Sequence, residues 1–170
     1  MSSGEYIAKL APGANVPPPV QLSNDLVARV VHDHKFIEKL YRDFEDAASE
    51  QDCQNIANAI IREIGSHANV EEIVVIPAYE KYINPDGNKY AEKARQKALA
   101  VKNSIYELRG LKMGEKGFQA KLFDIMSTFR DHTGIEEQES FPKLKECVDT
   151  EVLNELGHAW NEAKEKFEKR

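Results

Sequence analysis

Residues 67–77 read His67-Ala-Asn-Val-Glu71-Glu72-Ile-Val-Val-Ile-Pro77, and residues 132–142 read His132-Thr-Gly-Ile-Glu136-Glu137-Gln-Glu-Ser-Phe-Pro142. Both stretches follow the pattern His-x3-Glu-Glu-x4-Pro. On an α-helix, residues i and i+4 lie one above the other on the same face, so each copy directs an imidazole and a carboxylate towards one point. Two such helices that face each other supply two nitrogen and two oxygen ligands, a set that suits non-haem iron or a related transition metal inside a helical bundle. The repeat therefore predicts a metal site between helices.

The size and composition of the chain favour one helix-rich, soluble domain. It has 170 residues, of which 41% are hydrophobic and 31% charged, enough for a single core. The net charge of −6 disfavours nucleic acid as a partner, because phosphate would be repelled. No apolar run approaches the roughly 20 residues that span a bilayer, and no signal-peptide stretch is present, so no membrane partner is expected. The two cysteines, which form no CxxC motif, predict reduced thiols in a cytoplasmic protein.

The hydrophobic spacing predicts an all-α fold. Apolar residues recur every three or four positions in long segments, and no segment alternates as a strand would. Pro77 is expected to break or bend the second helix, and Asn84-Pro85-Asp86-Gly87 is a strong turn signal. Short connections favour an up-down-up-down four-helix bundle with a short C-terminal fifth helix and an extended N-terminal arm. The expected bounds are 1–21 for the arm and 22–170 for the bundle, with helices at about 23–48, 52–76, 89–109, 118–141 and 149–170.

A third histidine has the same placement on the first predicted helix. His34 begins another His-x3-Glu pair with Glu38 and lies in register with the apolar stripe, so it is expected to point inward. His32 lies two residues earlier, about 200° around the helix, and is assigned to the surface or an edge. Glu72 and Glu137 each follow an expected ligand by about 100° and are expected beside the site or in solvent.

These residues also have an interpretation without a metal. A single His-x3-Glu pair on a helix is usually an exposed, weakly stabilising pair, and runs of glutamate are usually solvated faces. The duplication, with both Glu residues and the Pro repeated in helices that otherwise form the core, favours the metal interpretation. His158, on the last helix, is expected to be structural or exposed. The tyrosines Tyr41, Tyr79, Tyr82 and Tyr106 could tune the site or only pack, and packing is the favoured interpretation. The candidate metal ligands are His34, Glu38, His67, Glu71, His132 and Glu136.

Three stretches resemble the hemerythrin-like family, or HHE cation-binding domains, and in particular its fungal and bacterial single-domain members. They are His32-Asp-His34-Lys-Phe-Ile-Glu38-Lys-Leu-Tyr41, residues 67–82 and residues 132–144, and the resemblance covers about residues 22–148. It implies a four-helix bundle around a non-haem, usually di-iron, centre, with histidine from each helix and two carboxylates that bridge the metals. Carried over residue by residue, the ligands are His34 from the first helix, His67 and Glu71 from the second, and His132 and Glu136 from the fourth.

The third predicted helix departs from that family pattern. The family places a histidine there, whereas this chain has none between His67 and His132, and Ala98 is the nearest counterpart. The resemblance then implies one ion held by the ligands of the first two helices with Glu136, and a second that relies on His132, the shared carboxylates, and water or Glu38. Three outcomes are open: an asymmetric di-iron site with an open coordination position, a mononuclear site, or a weakened site kept mainly for its fold. An open position favours chemistry over reversible O2 carriage.

The leading functional hypothesis is a non-haem, di-iron protein that binds O2 or a related small ligand. The second is an enzyme, such as an oxidase, a peroxidase or a nitric-oxide-handling iron protein, that uses the position left open at Ala98. The third is a non-catalytic role, either iron storage or delivery or an interaction module whose metal is structural. The motifs identify no substrate and no protein partner, and the ligand types alone do not select iron over manganese or zinc.

Overall fold

Seven α-helices and one π-helical turn make up residues 24–168, the part of the chain that the computed structural model describes. No strand occurs in this range, and no helix in it is long and apolar enough to cross a membrane. The N-terminal arm expected at 1–21 lies outside the described residues. In chain order the elements are α1 (Leu26–Glu45), α2 (Glu50–Ile73), α3 (Val75–Tyr82), α4 (Gly87–Leu108), α5 (Phe118–Ile135), the π-helical turn (Glu136–Ser140), α6 (Phe141–Cys147) and α7 (Thr150–Glu168).

Local sequence signals define the first two helices. α1 begins after Asp25, whose carboxylate accepts a hydrogen bond from the Ala28 amide at 3.0 Å. α2 begins after Ser49, whose hydroxyl accepts from the Asp52 amide at 3.1 Å. Such caps satisfy amides that have no partner within the helix. The buried residues of α1 then recur every three or four positions, which places His34 in the same inward stripe as its apolar neighbours.

The helix is irregular near the proline at the end of each copy of the repeat. Pro77 has no amide hydrogen to donate to the residue four positions earlier, and α2 gives way to α3 at Val74. Pro142 lies in the first turn of α6, and before it the Phe141 amide donates to the Glu136 carbonyl, five residues back, in the π-helical turn. The second helix, expected to break or bend at Pro77, is broken at Val74, three residues before it. The helix expected to end at Phe141 instead continues through α6, because a proline is tolerated in a first helical turn.

The helices pack as a four-helix bundle with one helix added. α2 together with α3 forms its second long helix, and α5, the π-helical turn and α6 together form its fourth. α1 packs against α2, and α4 packs against α2, α3 and α5. α7 packs against both α1 and α2. The expected all-α, up-down-up-down bundle with a C-terminal fifth helix is confirmed, and its short connections make consecutive helices neighbours that run in opposite directions.

A polar layer separates two apolar clusters in the core. The Phe129 cluster includes Ile37, Ile64, Val101 and Phe129, and the Phe141 cluster includes Val30, Val70, Ala94 and Phe141. Along each of the four bundle helices, a buried residue lies between members of the two clusters, and these residues are His34, His67, Ala98 and His132. Three positions in the middle of the core thus hold imidazoles, while the fourth holds a methyl group.

Candidate metal centre

Four buried side chains converge in the polar layer. His34 of α1, His67 and Glu71 of α2, and Glu136 of the π-helical turn each offer a nitrogen or oxygen atom, and these atoms all lie within 4.8 Å of one another. The four residues are almost completely buried, with between 1% and 3% of their surface exposed. The i,i+4 spacing places His67 and Glu71 together, and the packing of the helices adds the other two. The structure therefore brings four of the six candidate ligands to one point.

Each carboxylate of this group lies near two imidazoles. Glu71 Oε1 is 3.0 Å from His67 Nε2, and both Glu71 oxygens accept from His132 Nε2 at 3.0 Å. Glu136 Oε2 is 3.3 Å from His34 Nε2 and 3.6 Å from His132 Nε2. His132, which is also buried, therefore adjoins both carboxylates. With it the ligand set consists of three imidazoles and two carboxylates.

The hydrogen bonding of the ligand set leaves several of its atoms without partners. His34 Nε2, His67 Nε2 and Glu136 Oε2 are buried and make no hydrogen bond of good geometry among the described residues, although an imidazole nitrogen or a carboxylate oxygen lies within 3.3 Å of each. Buried polar atoms are nearly always hydrogen-bonded, and exceptions call for an explanation such as an ion. Imidazole nitrogen and carboxylate oxygen are ligands that transition metals such as iron accept. The residues present therefore fit a transition-metal ion.

The charges of the ligand set oppose the effect of burial on its pKa values. Burial alone lowers the pKa of His67 and His132, but the charge of Glu71 outweighs it. Together with Asp33 near His67 and Glu136 near His132, that charge raises the two pKa values to about 10 and about 9. Burial raises the pKa of Glu136, and the charge of Glu71 adds to the increase. Both imidazoles are thus protonated near neutral pH in metal-free protein, and an ion that binds them displaces protons.

Two further side chains orient the ligands. His34 Nδ1 donates to Glu137 Oε1 at 2.7 Å, which leaves Nε2 for the interior of the ligand set. The hydroxyl of the fully buried Tyr79 donates to Glu136 Oε1 at 3.2 Å. Hydrogen bonds of this kind fix the tautomer of a ligating imidazole and the orientation of a ligating carboxylate. Glu137 lies beside the site, as the sequence indicates. Packing is the expectation for Tyr79, and its hydrogen bond to Glu136 fits the alternative that it tunes the site.

Glu38 does not join the ligand set. The guanidinium of Arg130 donates to both oxygens of Glu38, at 2.8 and 2.9 Å, and also lies over the ring of Tyr41. A carboxylate held at both oxygens by one arginine is not free to bind a metal. We therefore leave Glu38 out of the proposed ligands. His32 and His158 are exposed, as their helical positions suggest.

α4 contributes no ligand to the polar layer. Ala98 is buried there, and α4 contains no histidine. Its two glutamates, Glu92 and Glu107, are exposed on the outside of the helix. The structure therefore agrees with the sequence that α4 lacks the histidine of the family pattern. Imidazoles occupy the polar layer on three of the four bundle helices.

Trp160 and Asp33 adjoin His67 from its other side, and Lys164 pairs with Asp33. Trp160 of α7 places its ring edge-on to the imidazole, with the ring centroids 5.4 Å apart. Asp33 Oδ2 lies 3.8 Å from His67 Nδ1 and 3.0 Å from Lys164 Nζ. Sequence reasoning missed this arrangement because its members come from three helices that are distant in the chain. The acidic residue next to His34 is the one signal that points towards it.

Known proteins resemble this chain in sequence and in fold. The family model described as the hemerythrin HHE cation binding domain matches residues 25–168. An uncharacterized hemerythrin-like protein of Schizosaccharomyces pombe is 27% identical over 150 residues, which make up 86% of this chain and 74% of that protein. A crystal structure of a hemerythrin HHE cation binding domain-containing protein from Mycobacterium kansasii matches with a TM-score of 0.70 and 19% identity, over 84% of this chain and 86% of the other. This chain therefore belongs to the hemerythrin HHE cation-binding domain family.

Proposed function

We propose that this chain is a non-haem iron protein whose centre holds two iron ions and binds O2 or a related small ligand. The observation that supports the proposal is the position of Glu71 and Glu136, each of which lies near two imidazoles in a buried layer. A carboxylate with nitrogen ligands on two sides suits a pair of metal ions that share it. The family described by its cation binding is consistent with a metal at this place.

We assign the ligands to two unequal positions. His34 and His67, with the two carboxylates, would hold the first ion, since the atoms of these four groups converge. His132, with the same two carboxylates, would hold the second. The second position has fewer protein ligands, because α4 presents Ala98 where another imidazole could stand. It is therefore the position at which a small ligand would bind.

The chain supplies a dry and preorganised setting for this chemistry. When bound, iron supplies a redox-active Lewis acid with an open coordination position. The rings of Phe129 and Phe141 lie 5.8 and 6.5 Å from the ring of His34, so apolar side chains flank the layer. Burial and the charge of Glu136 raise the pKa of Tyr79 well above its usual value. Tyr79 therefore keeps a proton next to a ligating carboxylate.

A second candidate function is an iron enzyme, such as an oxidase, a peroxidase or a nitric-oxide-handling protein. The observation in its favour is the methyl group of Ala98 in a layer where the other three helices present imidazoles. An ion with an open position can activate a ligand as well as bind it. Ala94 and Val101, the buried neighbours of Ala98 on α4, are apolar and identify no substrate.

Elemental analysis of protein purified after growth with ample iron is the first test. Near two irons per chain, with visible absorption that appears with O2, would support the small-ligand proposal. One iron per chain with turnover of a reductant or a peroxide would favour the enzyme. A metal that adds only thermal stability, without ligand binding or turnover, would contradict both.

Substitution of a single ligand tests the site itself. His67→Ala should abolish stoichiometric metal binding, because it removes one of the atoms that converge between the helices. His158→Ala is the matched control, since this histidine is exposed on α7, and it should bind as much metal as the unsubstituted chain. Full iron occupancy in His67→Ala would show that the ligand assignment is wrong.

A further inference from the structure

Two side chains of α7, one helical turn apart, lie beside the polar layer of the core. Trp160 and Lys164 share a face of α7, because residues i and i+4 do so on any α-helix. The Trp160 ring lies edge-on to the ring of His67. Lys164 Nζ lies 3.0 Å from Oδ2 of Asp33, which in turn faces His67. α7 thus reaches the His67 imidazole directly through Trp160 and indirectly through Lys164 and Asp33.

We propose that Asp33 and Lys164 are positioning residues for His67. Lys164 holds the Asp33 carboxylate in place, and that carboxylate accepts the Nδ1–H of the imidazole while Nε2 binds metal. The inference rests on the proposed function, since it takes His67 to be a metal ligand. It adds that the orientation of this ligand depends on α7.

The two ring nitrogens of His67 face different carboxylates. Nε2 lies 3.0 Å from Glu71 Oε1, inside the ligand set, and Nδ1 lies 3.8 Å from Asp33 Oδ2. His67 Nδ1 makes no hydrogen bond among the described residues, and the contact that Asp33 Oδ2 makes there is the ion pair with Lys164 Nζ. An imidazole that binds metal through Nε2 is neutral and carries its hydrogen on Nδ1, which then needs an acceptor. A shift of about 1 Å brings this pair to hydrogen-bond distance.

Lys164 controls where the Asp33 carboxylate can lie. The side chains of Asp33 and Lys164 are 17% and 14% exposed, so the ion pair is largely shielded from water. Removing one partner of a shielded ion pair leaves an uncompensated charge and displaces it. Nζ of Lys164 also lies 3.5 Å from Glu63 Oε2, one helical turn before His67 on α2. The ammonium group of Lys164 on α7 therefore forms ion pairs with residues of α1 and α2 beside the polar layer.

The environment of His34 supports the same interpretation. Its Nδ1 donates to Glu137 at 2.7 Å while its Nε2 faces Glu136. Both imidazoles assigned to the first metal position therefore have one carboxylate near Nε2 and another near Nδ1. Glu137 reaches His34 from the π-helical turn, whereas Asp33 reaches His67 from α1 and depends on Lys164 of α7 for its counter-charge.

The test uses Co(II) as the probe and the full chain, prepared free of metal with a chelator. Lys164→Met removes the ammonium and keeps the length of the side chain, Lys164→Arg restores the charge, and Asp33→Asn removes the carboxylate charge. Lys102→Met is the matched control, because Lys102 forms an ion pair at 2.7 Å with Glu72, the residue next to a ligand. Two quantities are measured: the Co(II) dissociation constant by chelator competition, and the hyperfine-shifted imidazole N–H signals by proton NMR.

Asp33→Asn should weaken Co(II) binding by about 10–100-fold, as is typical when a partner of a ligating imidazole is lost. Lys164→Met should weaken it in the same direction, and one shifted N–H signal should exchange faster with water in both variants. Lys164→Arg should recover the affinity and the slow exchange. Lys102→Met should match the unsubstituted chain in both measurements.

Equal affinities and N–H signals in Lys164→Met and Lys102→Met would overturn the inference while the proposed function stands. The same holds if Lys164→Met lowers only the melting temperature of the metal-free protein and regains a normal N–H signal once loaded, since that result describes a purely structural ion pair. Failure of the unsubstituted chain to bind Co(II) would overturn the proposed function and, with it, the role assigned to Asp33 and Lys164.

Discussion

At the residue scale, the methyl group of Ala98 leaves α4 without a candidate ligand in the polar layer. Ala98→His should raise iron occupancy and affinity, because it adds an imidazole at a buried position level with the three that are present. The larger side chain has to be accommodated in a packed core, so the gain is expected in metal binding and not in the stability of the metal-free chain. Iron per chain and chelator competition measure it.

Ala100→His is the control for this substitution, because Ala100 is exposed on the same helix. It adds a histidine to α4 outside the layer and should leave iron occupancy unchanged. No gain in Ala98→His relative to this control would contradict the register assigned to α4. The same result would follow if another side chain already completes the second position.

Single residues also show how far the sequence alone determines the site. His67 and Glu71 could be predicted, because their relation depends on one helix and its i,i+4 geometry. Glu38 has the same spacing from His34, yet its role depends on Arg130 from another helix, which the spacing does not report. Contacts between distant helices, such as that between Asp33 and Lys164, are settled by packing and carry no local signal.

At the element scale, the two prolines of the repeat also show which features the sequence alone does not predict. The missing amide hydrogen predicts a disturbance at both Pro77 and Pro142. Its form differs, because α2 breaks into a second helix at Val74 whereas α5 passes through a π-helical turn. Whether the helix breaks or forms a π-helical turn depends on which groups form hydrogen bonds with the freed carbonyls and with the side chains of that segment. Those partners belong to the assembled bundle.

Two glycines of the helices should respond to alanine in opposite directions. Gly65→Ala in α2 should stabilise the protein by about 0.5–1 kcal/mol, since a methyl group there meets no atom within 4 Å and alanine has less backbone entropy to lose. Gly157→Ala in α7 should destabilise it by about 1–3 kcal/mol. An added Cβ would lie 1.7 Å from the Asn24 carbonyl oxygen and 3.1 Å from the Leu26 amide nitrogen.

Urea unfolding of both glycine variants, at the same metal loading, measures these differences. Gly157 marks the place where α7 approaches the start of α1 most closely, so its variant reports on the attachment of the fifth helix. Equal stabilities of the two variants would contradict the close approach between α7 and the backbone before α1.

At the scale of the whole molecule, metal-free protein should lose stability as the pH rises from about 7 to about 10. Folding raises the pKa of His67 and His132 from 6.5 to about 10 and about 9. The stability that their protonation contributes is fully present below about 6.5 and is lost as the pH passes through the raised values. Although burial raises the pKa of Glu71, the two imidazolium charges hold it well below its usual value, so Glu71 stays ionised throughout.

The free energy of unfolding of chelator-treated protein, measured across this pH range, tests the expectation. His132→Gln removes one of the two titrating imidazoles and should show a smaller fall than the unsubstituted chain. His158→Gln, at an exposed position, should show the same fall. A free energy of unfolding that stays constant or increases towards pH 10 would contradict the assignment of protonated imidazoles beside ionised Glu71 in the polar layer.

The division of the core into the Phe129 and Phe141 clusters has a consequence for how such chains change by mutation. Most apolar contacts that hold the helices together lie within these clusters, on either side of the polar layer. A substitution inside the layer, such as an alanine in place of a ligand, alters coordination while leaving that packing in place. Folding and metal chemistry therefore respond to largely separate sets of residues, so a bundle of this kind can acquire, rebalance or lose its metal chemistry without first losing its shape.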